Sequence, residues 1–156
     1  MIDFYGILVD SMGMENTFAG RWEHFEHQAD MGVRGVGETC DQAFEQAAMA
    51  LTAVMLDPAE VRTETRVEVK CDAGDLEMLL VDWLSAIIFE MSSRKMIFGR
   101  FEVKIVGTSL SGMLWGEAVD QVRHAPAVEI KGATYTALFV RKDKAGIWTA
   151  QCVVDV

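Results

Sequence analysis

The chain ends on Val-Val-Asp-Val, so the Asp155 side chain and the α-carboxylate of Val156 put two anionic groups within one residue step. Hard divalent cations take oxygen ligands of this kind, about six to eight for Ca²⁺ and about six, several of them waters, for Mg²⁺. If Asp30, at the entry to the first predicted strand, lies beside that end, three carboxylates converge and a cation relieves their mutual repulsion. The alternative is a solvated Asp155 near a frayed end. Lys131, flanked by Ile130 and Gly132, forms with Glu129 either a solvent-facing charge pair or a fixed cation near the acidic end that meets a partner's acid or a phosphate. His24 and His27 are three residues apart, which does not align two imidazoles on a strand or loop. With neither an HExxH helix nor a cysteine pair to support zinc, His27 is read as structural or supporting. Asp120, Arg123 and His124 form a further polar group, but no Ser-His-Asp order or Cys-His pairing has a supporting local motif, so nucleophilic catalysis has little basis.

Several elements must position these groups. Met31, Val33 and Val36 suggest a short strand. The glycines around them are spaced G-x-x-G-x-G, which is not the dinucleotide fingerprint. Thr39 and Gln42 form a capping-box signature, and Phe44, Ala47, Ala48, Leu51 and Met55 follow at helical spacing, predicting a helix over about 40–56. Val67, Val69 and Cys71 alternate with Arg66, Glu68 and Lys70 in the period of a half-buried strand. Asp72-Ala-Gly-Asp75 supplies capping side chains for a second helix, about 75–92, with a wide apolar stripe from Leu76 to Met91. Strands are predicted over 101–106, 110–119, 128–140 and 148–154, with turns at Gly107-Thr-Ser and Asp143-Lys-Ala-Gly. The fold class is α+β: one domain over 21–156, with an antiparallel-rich mixed sheet and two main helices packed on it, preceded by a peripheral or partly ordered extension over 1–20.

Composition bounds the function. A chain of 156 residues, 51% apolar, is long enough for a real core and excludes disordered and low-complexity classes. The 24 acids outnumber the 14 Lys and Arg, for a net charge of −10, which disfavours unaided binding to nucleic acid or to anionic membranes. Eleven of those acids stand in residues 1–60 against only Arg21 and Arg34. Three widely spaced cysteines and the absence of a signal-peptide pattern point to a reduced, cytoplasmic protein with buried thiols, and the longest apolar run is too short and too interrupted by acids to span a bilayer. The 10 methionines are read mainly as core fillers, with a Met-lined partner groove as the alternative.

In order along the chain, F-E-H-Q-A-D (Phe25 to Asp30), M-G-V-R-G-V-G, T-C-D-Q-A-F-E-Q-A-A (from Thr39), L-L-V-D-W-L (from Leu79), G-E-A-V-D (from Gly116), R-H (Arg123, His124), E-I-K-G-A-T-Y (from Glu129) and the terminal V-V-D-V form an ordered set. This set resembles the archease family over about residues 23–156. The resemblance implies an accessory protein of an RtcB-type RNA ligase, which joins 3′-phosphate or 2′,3′-cyclic-phosphate ends to 5′-hydroxyl ends in tRNA splicing and RNA repair. Such a protein promotes nucleotidylation of the ligase and its multiple turnover, is not itself the catalyst, and meets RNA only through the ligase. The resemblance places a divalent metal (Ca, Mg or Mn) on Asp30, Asp155 and Val156 and a functional lysine on Lys131, with His27, Glu129 and His124 as positioning candidates. Thr136 stands where the family commonly has histidine. A stand-alone metal-dependent phosphoesterase and a chaperone-like interaction module are the competing readings.

Overall fold

The computed structural model describes residues 7–9 and 15–156, with side chains from residue 19 onward. A short antiparallel pair, β1 (Ile7–Val9) and β2 (Glu15–Phe18), stands apart from the other strands, and the rest of the expected extension, 1–6 and 10–14, lies outside the described residues. Then come β3 (Arg21–His27), β4 (Asp30–Gly37), α1 (Cys40–Met55), a 3₁₀ turn (Pro58–Glu60), β5 (Thr65–Asp72), α2 (Leu76–Arg94), β6 (Met96–Val106), β7 (Ser109–Ala118), β8 (Gly132–Ala133), β9 (Phe139–Lys142) and β10 (Trp148–Asp155). The α+β class with two helices on antiparallel strands is as expected.

The strands divide into two main sheets. In the larger one β10 lies in the middle, paired with β4 on one side and with both β8 and β9 on the other, and β3 closes the far edge. The smaller has the order β5-β7-β6. The helices and the inner faces of both sheets share one core that includes the fully buried Phe44, Leu51, Trp83, Leu84, Phe98 and Leu114. Trp83 joins its parts: its indole N–H donates to Phe44 O at 3.0 Å, and its ring meets Phe101 edge-on at 6.2 Å.

Local sequence explains the main elements. Thr39 caps α1 by accepting from Gln42 N at 3.1 Å, and the Gln42 side chain reaches back one residue further than a capping box requires, accepting from Glu38 N at 2.7 Å. Asp75 caps α2 through Met78 N at 2.8 Å, and Lys95 ends that helix in the left-handed region. The glycine-rich run of β4 serves packing. A Cβ on Gly35 would stand 2.0 Å from Ala43 O and 2.3 Å from Ala47 N, so glycine lets the backbone of α1 sit directly on the sheet. On the opposite face the Phe25 ring fills the space over Gly32. The outer edge of β6 is covered rather than open: Asp41 and Glu45 of α1 accept its Ile105 and Val103 N–H groups at 3.2 and 2.9 Å.

Two expectations need correction. Residues 21–27, ahead of the first strand that the sequence predicts at Met31 to Val36, form β3, whose polar residues on both faces hide its alternation. The predicted strand over 128–140 is present only as β8 and the start of β9. Between them Ala137 takes φ 54°, while Thr134 N–H donates to Val153 O at 3.0 Å and Val153 N–H donates to Thr136 O at 3.1 Å, so the segment stays beside β10 but bulges out of regular pairing.

Candidate functional site

Hydrogen-bond register brings the sequence-distant acids together. β3 and β4 are joined through His27-Gln28-Ala29-Asp30, with His27 paired to Asp30 and Gln28 at φ 54°. β10 runs antiparallel to β4 with Met31 opposite Val154, so Asp30 and Asp155 fall one step further along, at the same end of the sheet. The Val156 N–H reaches Asp30 Oδ1 at 3.4 Å. Pleat alternation does the rest: buried Val154 faces the helices, so Asp155 faces away from them, and Asp30 is likewise out of phase with Met31, which packs on the core.

The third chain segment at this tip is β8 with the residue before it. Lys131 N donates to Asp155 O at 2.8 Å, and Gly132 pairs with Asp155. The Lys131 side chain is exposed and, among the described residues, neither it nor Asp155 makes an ion pair. Glu129 is exposed two residues away, and His27 is half-buried in the hairpin. His24 serves a different purpose: its Nε2 lies 2.8 Å from Ala50 O on α1, so the two histidines do not form a pair. Among the described residues no three His, Cys, Asp or Glu side chains converge. The tip offers two side-chain carboxylates and the main-chain oxygens of Val156. That all-oxygen donor set fits a hard divalent cation completed by water and does not fit zinc.

His124 lies elsewhere. The loop after β7 folds back so that Asp120 Oδ1 accepts from Val122 N and Arg123 N at 3.0 and 3.1 Å, and these bonds, the Arg123 one foremost, lower the Asp120 pKa. Asp120 N donates to His124 Nδ1 at 2.8 Å, which leaves the ring proton on Nε2, and this donates to Glu117 Oε2 at 3.0 Å. Glu117 also accepts from Arg62 N at 2.7 Å and pairs with the Arg123 guanidinium. Burial alone would raise the Glu117 pKa, but these donors outweigh it and hold the carboxyl at about 2. The sequence singled out Asp120, Arg123 and His124 but missed Glu117, the common partner of Arg123 and His124. The available signal was the aspartate that opens a turn three residues before Arg-His.

Two further features bear on function. The three cysteines are free, with burial first among the causes that push Cys40 to about 11 and Cys152 to about 12 and raise Cys71 as well, so none is poised as a nucleophile. Met55, Met91 and Met96, with Ile88, Val128 and Ile130, line a groove of about 490 Å³ under the 121–130 loop, so some methionines read as core fillers lie in a surface concavity. No helix among the described residues is long and apolar enough to cross a membrane.

Residues 22–156 match the model of the archease protein family. The chain is 34% identical to protein archease of Pyrococcus furiosus and 38% identical to that of Thermococcus gammatolerans, each alignment covering 87% of this chain and 99% of the relative. The solution structure of Methanobacterium thermoautotrophicum protein 1598 superposes with a TM-score of 0.72 at 29% identity, over 86% of this chain and 98% of that one. A crystal structure from Thermotoga maritima, described as an archease and possible chaperone, shares the fold with a TM-score of 0.57 at 21% identity, over 86% of this chain and 96% of that one. With its fold, its ordered sequence blocks and these relatives in agreement, the chain belongs to the archease family.

Proposed function

We propose that this protein is a non-catalytic activator of an RtcB-type 3′-phosphate RNA ligase in tRNA splicing or RNA repair, and that the tip of the larger sheet is its working end. The observation that carries the reading is the contact of Val156 N–H with Asp30 Oδ1. It joins two segments 126 residues apart, on the face that also carries Asp155. Asp30, Asp155 and the Val156 oxygens would hold a divalent cation (Ca, Mg or Mn), which when bound neutralises charge near a transferring phosphoryl group.

The chain's own residues perform two tasks. The β3–β4 turn and the end of β10 hold the oxygen donors together at one end of the sheet, where a partner could meet them. Lys131, anchored through its backbone to Asp155 and free at its ammonium, supplies a cation to a phosphate or to a carboxylate of the partner. Guanylylation of the purified ligase in the presence of wild type, Asp30→Ala, Asp155→Ala and Lys131→Ala tests this reading. Loss of stimulation is expected with each variant, and full stimulation by all three would overturn it.

One observation favours a second reading, a chaperone-like module: the Met-lined groove gives an adaptable apolar surface for a partner. In that case chelation of divalent ions leaves partner binding unchanged, whereas the activator reading expects chelation to abolish stimulation. A stand-alone phosphoesterase with two metals would need more converging carboxylates than the tip provides.

A further inference from the structure

The exposed face of the smaller sheet departs from the acidity of the molecule. Register places Arg66, Trp115 and Arg100 in one row across β5, β7 and β6, and Lys70, Ser111 and Lys104 in another row four residues along. Between them lie Glu68 and Glu102 on either side of Met113. These six charged side chains and Asp72, opposite Ser109 at the end of the face, are exposed, while the alternate residues Val67, Val69, Leu114, Phe101 and Val103 are buried in the core. One ion pair forms on the face, Arg100 with Glu102 at 2.8 Å. Among the described residues Arg66, Lys70 and Lys104 make none. The Arg100 guanidinium lies over the half-buried Trp115 ring, 4.4 Å from its centroid. A protein of net charge −10 thus carries one sheet face with four cations, three acids and an aromatic platform.

We propose that this face is a weak docking surface for single-stranded nucleic acid. A stacked aromatic and guanidinium receives bases of any sequence, and flanking cations receive the phosphates. Glu68 and Glu102, beside Met113, accept hydrogen bonds from base amines or ribose hydroxyls and limit the affinity. The net acidity of the molecule disfavours phosphate over much of the remaining surface. Three strands about 4.8 Å apart and about seven residues long give a patch of a few hundred Å². That is well short of the roughly 800 Å² per partner of a stable protein interface, but enough for a few nucleotides. An extended acidic peptide would pair with a sheet edge rather than lie across a face, and α1 carboxylates already cover the β6 edge. The net charge argues against unaided RNA binding by the molecule as a whole, and this face is the local exception. The inference stands on the sheet and is independent of the metal-bearing tip.

Fluorescence anisotropy of a labelled single-stranded RNA of about 12 nucleotides, titrated with the protein and no ligase, tests it. Binding is expected at about 50 mM salt and should weaken about 20-fold by about 200 mM if Arg66, Lys70 and Lys104 each contact one phosphate. The surface variant Lys70→Glu/Lys104→Glu, checked for folding by circular dichroism, should weaken binding at least about tenfold. The tip variant Asp30→Asn/Asp155→Asn should bind as the wild type does. No binding at the lower salt, or unchanged binding by the lysine variant, overturns the proposal. Displacement of the RNA by a glutamate-rich peptide at lower concentration than by unlabelled RNA also overturns it, in favour of an acidic protein partner.

Discussion

At the free end of β10, Asp30, Asp155 and Lys131 spend their hydrogen-bonding capacity sparingly. One carboxylate oxygen of Asp30 meets a backbone N–H, and among the described residues the Asp155 and Lys131 side chains make no ion pair. At the end of β7, Glu117 is saturated by Arg62 N–H, His124 and Arg123, with 6% of its side chain accessible. Both constellations are made of the residue types that perform catalysis and bind metals. The difference lies in where their bonds go: the β7 cluster closes on itself and holds a loop, whereas the tip leaves Asp155 and Lys131 exposed. A buried, fully bonded charge group stabilises only while complete, since removing one member strands the others. An exposed, underbonded group contributes little to stability and is available to a ligand.

The sharpest break of this comparison is Glu117→Ala, which leaves Arg62 N–H, His124 Nε2–H and the Arg123 guanidinium without their acceptor. It should destabilise the fold by about 3 kcal/mol, read from urea unfolding. The same cluster predicts a pH dependence. Because folding lowers the Glu117 pKa from 4.5 to about 2, its contribution is complete above about pH 4.5 and drains away as the pH falls toward about 2. The urea midpoint of the wild type should fall through that window, and that of Glu117→Gln should fall less. At the tip, Asp30→Asn and Asp155→Asn should change stability by less than about 0.5 kcal/mol while removing divalent-cation binding. Lys131→Ala should leave both stability and cation binding within error and reduce only ligase stimulation, because its backbone bond to Asp155 survives the truncation.

Strong periodicity made much of the fold legible. The stripe of α2, the Thr39 and Asp75 caps and the alternation of β5 all reappear where the residues imply, because each is a local pattern with one apolar face. What local pattern could not show is partnership. The division into two sheets depends on β10 pairing with β4 while β5 pairs with β7, a choice made by tertiary packing. The apolar residues of 128–140 imitate a strand, yet Val128 and Ile130 line a groove and Ala137 takes a positive φ, which no alternation signals. The tip was legible as a list of oxygen donors at the chain end and at the hairpin entry, but their meeting is a consequence of register. His124 stood out as a polar residue after a strand, and only its burial against Glu117 separates it from the tip residues.

Asp30, Asp155 and Val156 are proposed to form one cation site built by register. Calorimetric titration of Mn²⁺ into the wild type and into Asp30→Asn/Asp155→Asn tests it most directly. The account predicts a single site near one ion per chain in the wild type and no measurable binding in the double variant, with Glu117→Gln binding as the wild type does. Equal binding by the double variant would contradict it.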